Sequence, residues 1–227
     1  MPEYRMRKLN GAYVVVAVGE TSKSFHGMLR LNDTAAEIFK MMQKNMTEDE
    51  IAKSLEKEYE INFDQARNDV ANIKKSLESM SDEISIEEAL ARDGVFISTT
   101  VGVSMYPLLR NRRDNVVVRP KNGRLKKYDV PLYRRGDEYV LHRIIEVKDD
   151  SYVIIGDNCI LKEYGIKDSD IIGVAEGFYR RNRYVPVSSP VYRAYSRIWV
   201  KIYPIRMFYK KCKQKLYTAL KRVANKS

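Results

Sequence analysis

Histidine and cysteine are nearly missing from this 227-residue chain, which has two of each. Cys159 and Cys212 are too few and too far apart for a disulfide framework or a metal site, which fits a reducing compartment. No apolar run reaches the ~18 residues that a membrane span needs, and no signal-peptide pattern opens the chain. No internal repeat or low-complexity tract is visible. These absences predict a cytoplasmic protein, and no motif asks for a cofactor. The scarcity of histidine has a sharper consequence. Any chemistry built on an imidazole must use His26 or His142.

What is present is a foldable sequence with lopsided charge. An apolar fraction of 44% is enough for real cores, and the length suits one large or two small domains. The net charge of +11 is uneven: residues 1–90 hold 12 Lys and Arg against 17 Asp and Glu, and residues 91–227 hold 29 against 13. Such asymmetry predicts two units with different partners.

In the first unit, "GAYVVVAV" reads as a strand and "SFHGMLRLN" as its hairpin partner, with Gly27 near the bend and His26 beside it. "NDTAAEIFKMMQKN" starts a helix capped by Asn32, Asp33 or Thr34. Thr47 and Glu50 form a capping box ahead of a second helix, "DEIAKSLEKEYE". The third helix, "DQARNDVANIKKSLESM", carries Val70, Ile73 and Leu77 on one stripe. A hairpin followed by three short helices predicts a winged-helix-like module over residues 1–80. The acidic stretch "SDEISIEEALARDG", residues 81–94, reads as a linker. A helix-turn-helix invites a DNA-binding reading, but the second helix is strongly acidic and the third balances three acids with three bases. Neither offers the basic face that phosphate contacts require.

From "LRLNDTAAEIFKMMQKNMTEDEIAKSLEKEYEINFDQARNDVANIKKSLES" the first unit resembles the pyrroloquinoline quinone biosynthesis protein D family. The resemblance implies a recognition element for precursor peptides of ribosomally made, modified peptides. It further implies that a leader peptide adds as a strand to the hairpin edge and packs against the third helix.

The second unit, residues 95–180, is a series of short strands divided by turn signals: "NVVVRP", "DVPLYRR", "EYVLHRIIEV", "SYVIIGD" and "IIGVAEGFYR". Ahead of them, "VFISTTV" leads into Ser104, with Gly102 two residues before it and Pro107 three after. A strand that ends at a permissive glycine, with a proline to block a helix, can expose a hydroxyl, although an ordinary turn serine would look the same. If Asp149 and Asp150 form a two-residue hairpin loop, Asp157 lies directly across from His142, where it could fix the imidazole tautomer. A one-residue change in that loop would break the pairing.

"GVSMYPLL", "YDVPLYRRGDEYVLHRIIEV" and "VIIGDNC" stand in the order and spacing of the signal-peptidase and repressor-type serine peptidase superfamily, which residues 96–180 resemble. Where bacterial signal peptidases and self-cleaving repressors carry a lysine base, this chain has His142–Arg143, similar to the endoplasmic-reticulum and archaeal signal peptidases. The resemblance implies Ser104 as nucleophile, with its N–H at the oxyanion, and His142 as general base. Asp157 within the glycine–aspartate–asparagine motif, or Glu163 six residues later where an aspartate is usual, implies the orienting acid. The superfamily's membrane anchor has no counterpart here.

From Tyr179 onward the chain has 14 Lys and Arg and no acid. In this basic tail, residues 181–227, Val191, Tyr195, Ile198, Ile202 and Ile205 trace a helical stripe that Phe208, Cys212, Leu216 and Val223 continue beyond a break at Pro204. A basic amphipathic helix of this kind reads either as lying on an anionic membrane at the inner face or as packing its apolar side on the β domain. The whole predicts an α+β protein: a cytoplasmic serine peptidase that recognises a precursor peptide with its first domain and cuts it with its second. The rivals are a self-cleaving DNA-binding regulator and a catalytically silent peptide-binding adaptor.

Overall fold

The computed structural model describes residues 3–9, 11–23, 28–78 and 85–224. The expected bend at His26 and Gly27 and the start of the expected linker lie outside those residues, as do the side chains of Leu216 and Val223. The chain divides into two compact units, residues 1–99 and 100–227, and its mixed helices and antiparallel sheets make it α+β.

The first unit opens on a three-stranded antiparallel sheet, β1 (Tyr4–Leu9), β2 (Ala12–Ala17) and β3 (Met28–Leu31), with β2 in the middle. β1 escapes a sequence reading because "YRMRKL" alternates charge with half-buried side chains and has no solid apolar run. Helices α1 (Asp33–Gln43), α2 (Glu48–Tyr59) and α3 (Phe63–Glu78) follow. Asn32 caps α1 by accepting from the Ala35 N–H, and Thr47 and Glu50 form the reciprocal capping box of α2. One core joins Val15 and Leu31 of the sheet to Ala36, Phe39 and Leu77. The other sits among the helices, where Ile38, Ile51, Leu55, Ala66 and Val70 are all buried. The stretch expected as a linker carries a fourth helix, α4 (Ile86–Asp93), because Ser85 and Glu88 make a second capping box and Gly94 ends it at positive φ. A short strand, β4 (Phe96–Thr99), closes the unit, and the Thr99 hydroxyl donates to the Ala17 carbonyl.

In the second unit the long strand β11 (Ile171–Arg180) organises a curled sheet. It takes β5 (Asn115–Arg119) along one edge, and β6 (Pro131–Arg135) and β12 (Arg183–Pro186) along the other. β7 (Glu138–Leu141) pairs with β6. A second sheet is formed by β8 (Arg143–Val147), β9 (Tyr152–Ile155) and β10 (Glu163–Ile166), with β9 in the middle. Tyr133, Val140, Ile144, Tyr152, Ile154 and Ile171 form a core that draws on both sheets. The segment "EYVLHRIIEV" is therefore two strands. The chain leaves one sheet at Leu141 and enters the other at Arg143, and His142 stands at the crossing.

The basic tail is two helices, α5 (Pro190–Lys201) and α6 (Tyr203–Ala224), with Pro204 in the first turn of α6, where its missing N–H costs nothing. No helix among the described residues is long and apolar enough to cross a membrane.

Candidate active site around Ser104, His142 and Glu163

Three features of the second unit bring chemistry-bearing side chains together. The first is the hairpin between β8 and β9. Lys148 N–H reaches the Ser151 carbonyl at 2.9 Å, so Asp149 and Asp150 form the expected two-residue loop, and Val147 pairs with Tyr152. Between Ile144 and Glu146, however, the ladder slips by one residue, and Ile144 pairs with Ile154. Continued along the hairpin, that register sets Gly156 across from His142, which corrects the expectation that Asp157 would stand there.

Asp157 has a different partner. Its carboxylate takes two hydrogen bonds from the Arg143 guanidinium, Nε to Oδ1 and Nη2 to Oδ2, both at 2.8 Å, and a third from the Tyr195 hydroxyl at 3.0 Å. Neither side chain of the pair is exposed by more than 1%. A buried guanidinium needs a paired carboxylate, so Asp157 is committed to holding Arg143. Arg143 also donates to the Tyr192 hydroxyl and the Ser196 hydroxyl of α5.

Glu163 is the acid that meets the histidine. It opens β10, pairs with Ile154 of β9, and sets Oε1 2.8 Å from His142 Nδ1. Its other oxygen lies 3.4 Å from Arg135 Nη1. With the proton on Nδ1 donated to Glu163, Nε2 is left as an acceptor on the other side of the ring. The Tyr133 hydroxyl lies 3.2 Å from Nδ1, and burial, with the Glu163 charge nearby, pushes the phenol pKa far up, so it stays neutral. Burial lowers the pKa of His142, and the Glu163 charge opposes that shift without cancelling it. The imidazole is therefore neutral at pH 7, the form in which it can accept a proton.

The second feature is the turn that carries Ser104. Gly102 has φ of 92°, a conformation that favours glycine, and its N–H donates to the Asn111 side chain at 2.9 Å. A cis peptide joins Tyr106 to Pro107. Ser104 is half-buried, while Val101, Val103 and Tyr106 around it are exposed.

The third feature is residues 156–162, which link β9 to β10. Asn158 N–H bonds the Ser104 carbonyl at 2.6 Å, and its side-chain amide reaches the Val103 carbonyl at 3.2 Å. Gly156 shows how tightly these parts meet. A Cβ added there would lie 2.9 Å from His142 Nε2, 2.8 Å from the Ser104 carbonyl and 2.6 Å from Cys159 Sγ. Only glycine fits, and the free imidazole nitrogen and the serine backbone face the same point. The structure thus brings the Ser104 backbone, His142 and Glu163 to one place, and keeps Asp157 beside them in a separate ion pair. Burial raises the pKa of the Cys159 thiol, which favours its inert form. Among the described residues, no three His, Cys, Asp or Glu side chains are grouped to hold a metal ion.

The sequence reading missed the tail's part in this site. Tyr192, Tyr195, Ser196 and Trp199 lie on one face of α5, and Tyr203, Arg206 and Lys210 continue it on α6. That face bonds Arg143 through Tyr192 and Ser196, and the 157–160 turn through the others. Val191, Ile198, Ile205, Phe208 and Tyr209 lie on the opposite, exposed face. Tyr195 and Trp199 shared the expected apolar stripe or its border, and only the spacing of polar aromatics at three and four residues pointed inward.

Residues 13–79 match the family described as Coenzyme PQQ synthesis protein D (PqqD). The match covers the body of the first unit and supports peptide binding as its role. A comparison with curated proteins finds no match to the chain.

Asp157 and Glu163 can be told apart by what their amides do. Asp157→Asn leaves Arg143 buried with its charge uncompensated, and we expect about 3–5 kcal/mol of lost stability. Glu163→Gln at the half-buried His142 contact should cost far less. Urea denaturation of the two variants, followed by far-UV circular dichroism, measures the difference.

Proposed function

We propose that the protein is a serine endopeptidase that binds a ribosomal precursor peptide through its first unit and cleaves it at Ser104. One observation carries the reading: the His142 ring has Glu163 on Nδ1, while its Nε2 faces the backbone of Ser104 across Gly156. In this mechanism Ser104 Oγ attacks the carbonyl carbon of the scissile bond as His142 Nε2 takes its proton. Glu163 holds the ring and stabilises the imidazolium, and the Ser104 N–H supports the oxyanion. The imidazolium then gives its proton to the leaving amine, and water releases the acyl group by the same steps. The likeness to signal-peptidase motifs in residues 96–180 supports this reaction class.

The PqqD match favours a peptide over DNA as the partner of the first unit, and the acidic α2 argues the same way. β3 ends the sheet, so a leader peptide adding a strand there would gain backbone hydrogen bonds, and Ile73 and Leu77 of α3 share a core with Leu29 and Leu31 of that strand. The reading also includes attachment to an anionic membrane. On the outward face of α5 and α6, Val191, Ile198, Ile205 and Phe208 are exposed in a segment that has no acid after Glu176.

Three outcomes are expected. Ser104→Ala and His142→Ala should each abolish cleavage of a precursor peptide, with losses that do not add. In the intact enzyme, kcat/KM should rise with pH through an apparent pKa below the ~6.5 of a free histidine, because burial favours the neutral ring. Glu163→Gln should lower the plateau by roughly 10³–10⁴-fold and move the inflection further down, since the carboxylate's charge no longer supports the imidazolium. A rising limb that survives His142→Ala would overturn the assignment.

A leader fragment without the cleavage site should compete with the full precursor and raise its apparent KM. It should leave hydrolysis of a short peptide spanning only the cleaved bond unchanged. Equal inhibition of both substrates would mean that the fragment occupies the active site.

Anionic vesicles should sediment the protein at low salt and release it as salt rises, because the Debye length shortens to about 8 Å at physiological ionic strength. Ile198→Ser with Ile205→Ser should abolish sedimentation without reducing cleavage in solution. Retention by neutral vesicles to the same extent would remove the charge argument.

A further inference from the structure

The turn between β9 and β10 has a supply problem that the tail solves. Residues 157–162 belong to no strand or helix, so their carbonyl groups have no ladder to accept from. The donors come from α5 and α6. Trp199 Nε1 bonds the Asp157 carbonyl at 3.0 Å, and the Tyr203 hydroxyl bonds the Ile160 carbonyl at 2.8 Å. Arg206 joins Trp199 on the Asp157 carbonyl, and Lys210 reaches both the carbonyl and the side-chain oxygen of Asn158. Arg206 is itself held, with its guanidinium 3.8 Å from the Trp199 ring centroid and a 2.9 Å bond to the Trp199 carbonyl. Asn158 turns its backbone N–H and its side-chain amide to the other side, where they bond the carbonyls of Ser104 and Val103 respectively.

We propose that Trp199, Tyr203, Arg206 and Lys210 are positioning residues for the nucleophile, acting through Asn158. They touch no reacting atom. By bonding the acceptors of Asp157, Asn158 and Ile160, they hold the Asn158 donors against the Ser104 loop and fix the serine backbone opposite His142 Nε2 across Gly156. The inference rests on the serine peptidase reading and adds to it that the last two helices are part of the catalytic apparatus. A displacement of about 1 Å at a reacting group can cost ~10²-fold in rate, so loss of these bonds acts on kcat.

The test uses the full chain with Tyr203→Phe, which removes one hydroxyl and keeps the ring, and Lys210→Met, which removes the charge and keeps the stem. Each is measured by precursor cleavage, by the rate of labelling with a fluorophosphonate probe, and by amide hydrogen exchange. We expect kcat and the labelling rate to fall about 10–100-fold with KM unchanged. Exchange at the Asn158 amide should accelerate, while β9 stays protected. Lys210→Arg should recover most of the activity. Folded variants with kcat and labelling within twofold of the parent overturn the proposal. So does a loss that appears only alongside faster exchange throughout β9, because that is general destabilisation. If the parent protein neither cleaves nor labels at Ser104, the peptidase reading and the positioning role both fall. Normal labelling of the parent and of both variants removes the positioning role alone.

Discussion

The second unit is organised around a guanidinium that has no access to water. Arg143 is wholly buried, and such a group is tolerable only with a carboxylate in bidentate register and further acceptors for its remaining protons. Asp157, Tyr192 and Ser196 meet that demand, and the geometry of the site follows from meeting it. Arg143 is the residue after His142, and Asp157 is the residue before Asn158. Their pairing therefore joins the crossing that carries the imidazole to the turn that holds the serine loop. The same ion pair draws α5 down onto the turn, since Tyr192 and Ser196 are contributed by that helix. Removing either charge would loosen all three at once.

Two carboxylates lie near one histidine, and burial decides their work. Asp157 is enclosed and ion-paired, with both oxygens taken by Arg143 and one shared with Tyr195. Glu163 keeps a fifth of its side chain exposed, where it contacts His142 and the edge of Arg135. Under the proposed chemistry, an acid already engaged by a full positive charge is a poor partner for an imidazole that must gain and lose one. The less committed acid is free to respond. Its extra methylene relative to aspartate also suits a partner that starts from a neighbouring strand and not from the turn itself.

Much of this was legible in the sequence, and the losses have specific causes. Capping boxes are local, so Thr47–Glu50 could be read directly, whereas Ser85–Glu88 was passed over because the acidic composition around it looked like linker. The serine and histidine stood out through motif and scarcity. The choice between Asp157 and Glu163 was beyond reach, because it turns on a one-residue slip near Ile145 that no periodicity announces. β10 was missed for a related reason: "EYGI" is short, largely exposed and contains a glycine. The tail's inward face was hidden by its own chemistry. Tyrosine, tryptophan and arginine serve a bilayer interface and a buried hydrogen-bond network equally well, and only the acceptors opposite them separate the two.

The crossing at His142 has a consequence for how activity depends on folding cooperativity. A residue inside one sheet keeps its place as long as that sheet survives. His142 belongs to neither ladder, and its position is the intersection of β7 in one sheet with β8 in the other. Sub-global opening of either sheet moves the imidazole away from Ser104 or from Glu163, even if the remaining half of the unit stays native. Under the proposed chemistry, the cutting centre is then an all-or-none property of the unit. A half-folded molecule, the species that would meet unintended peptides during synthesis or heat stress, has no assembled means of cutting them.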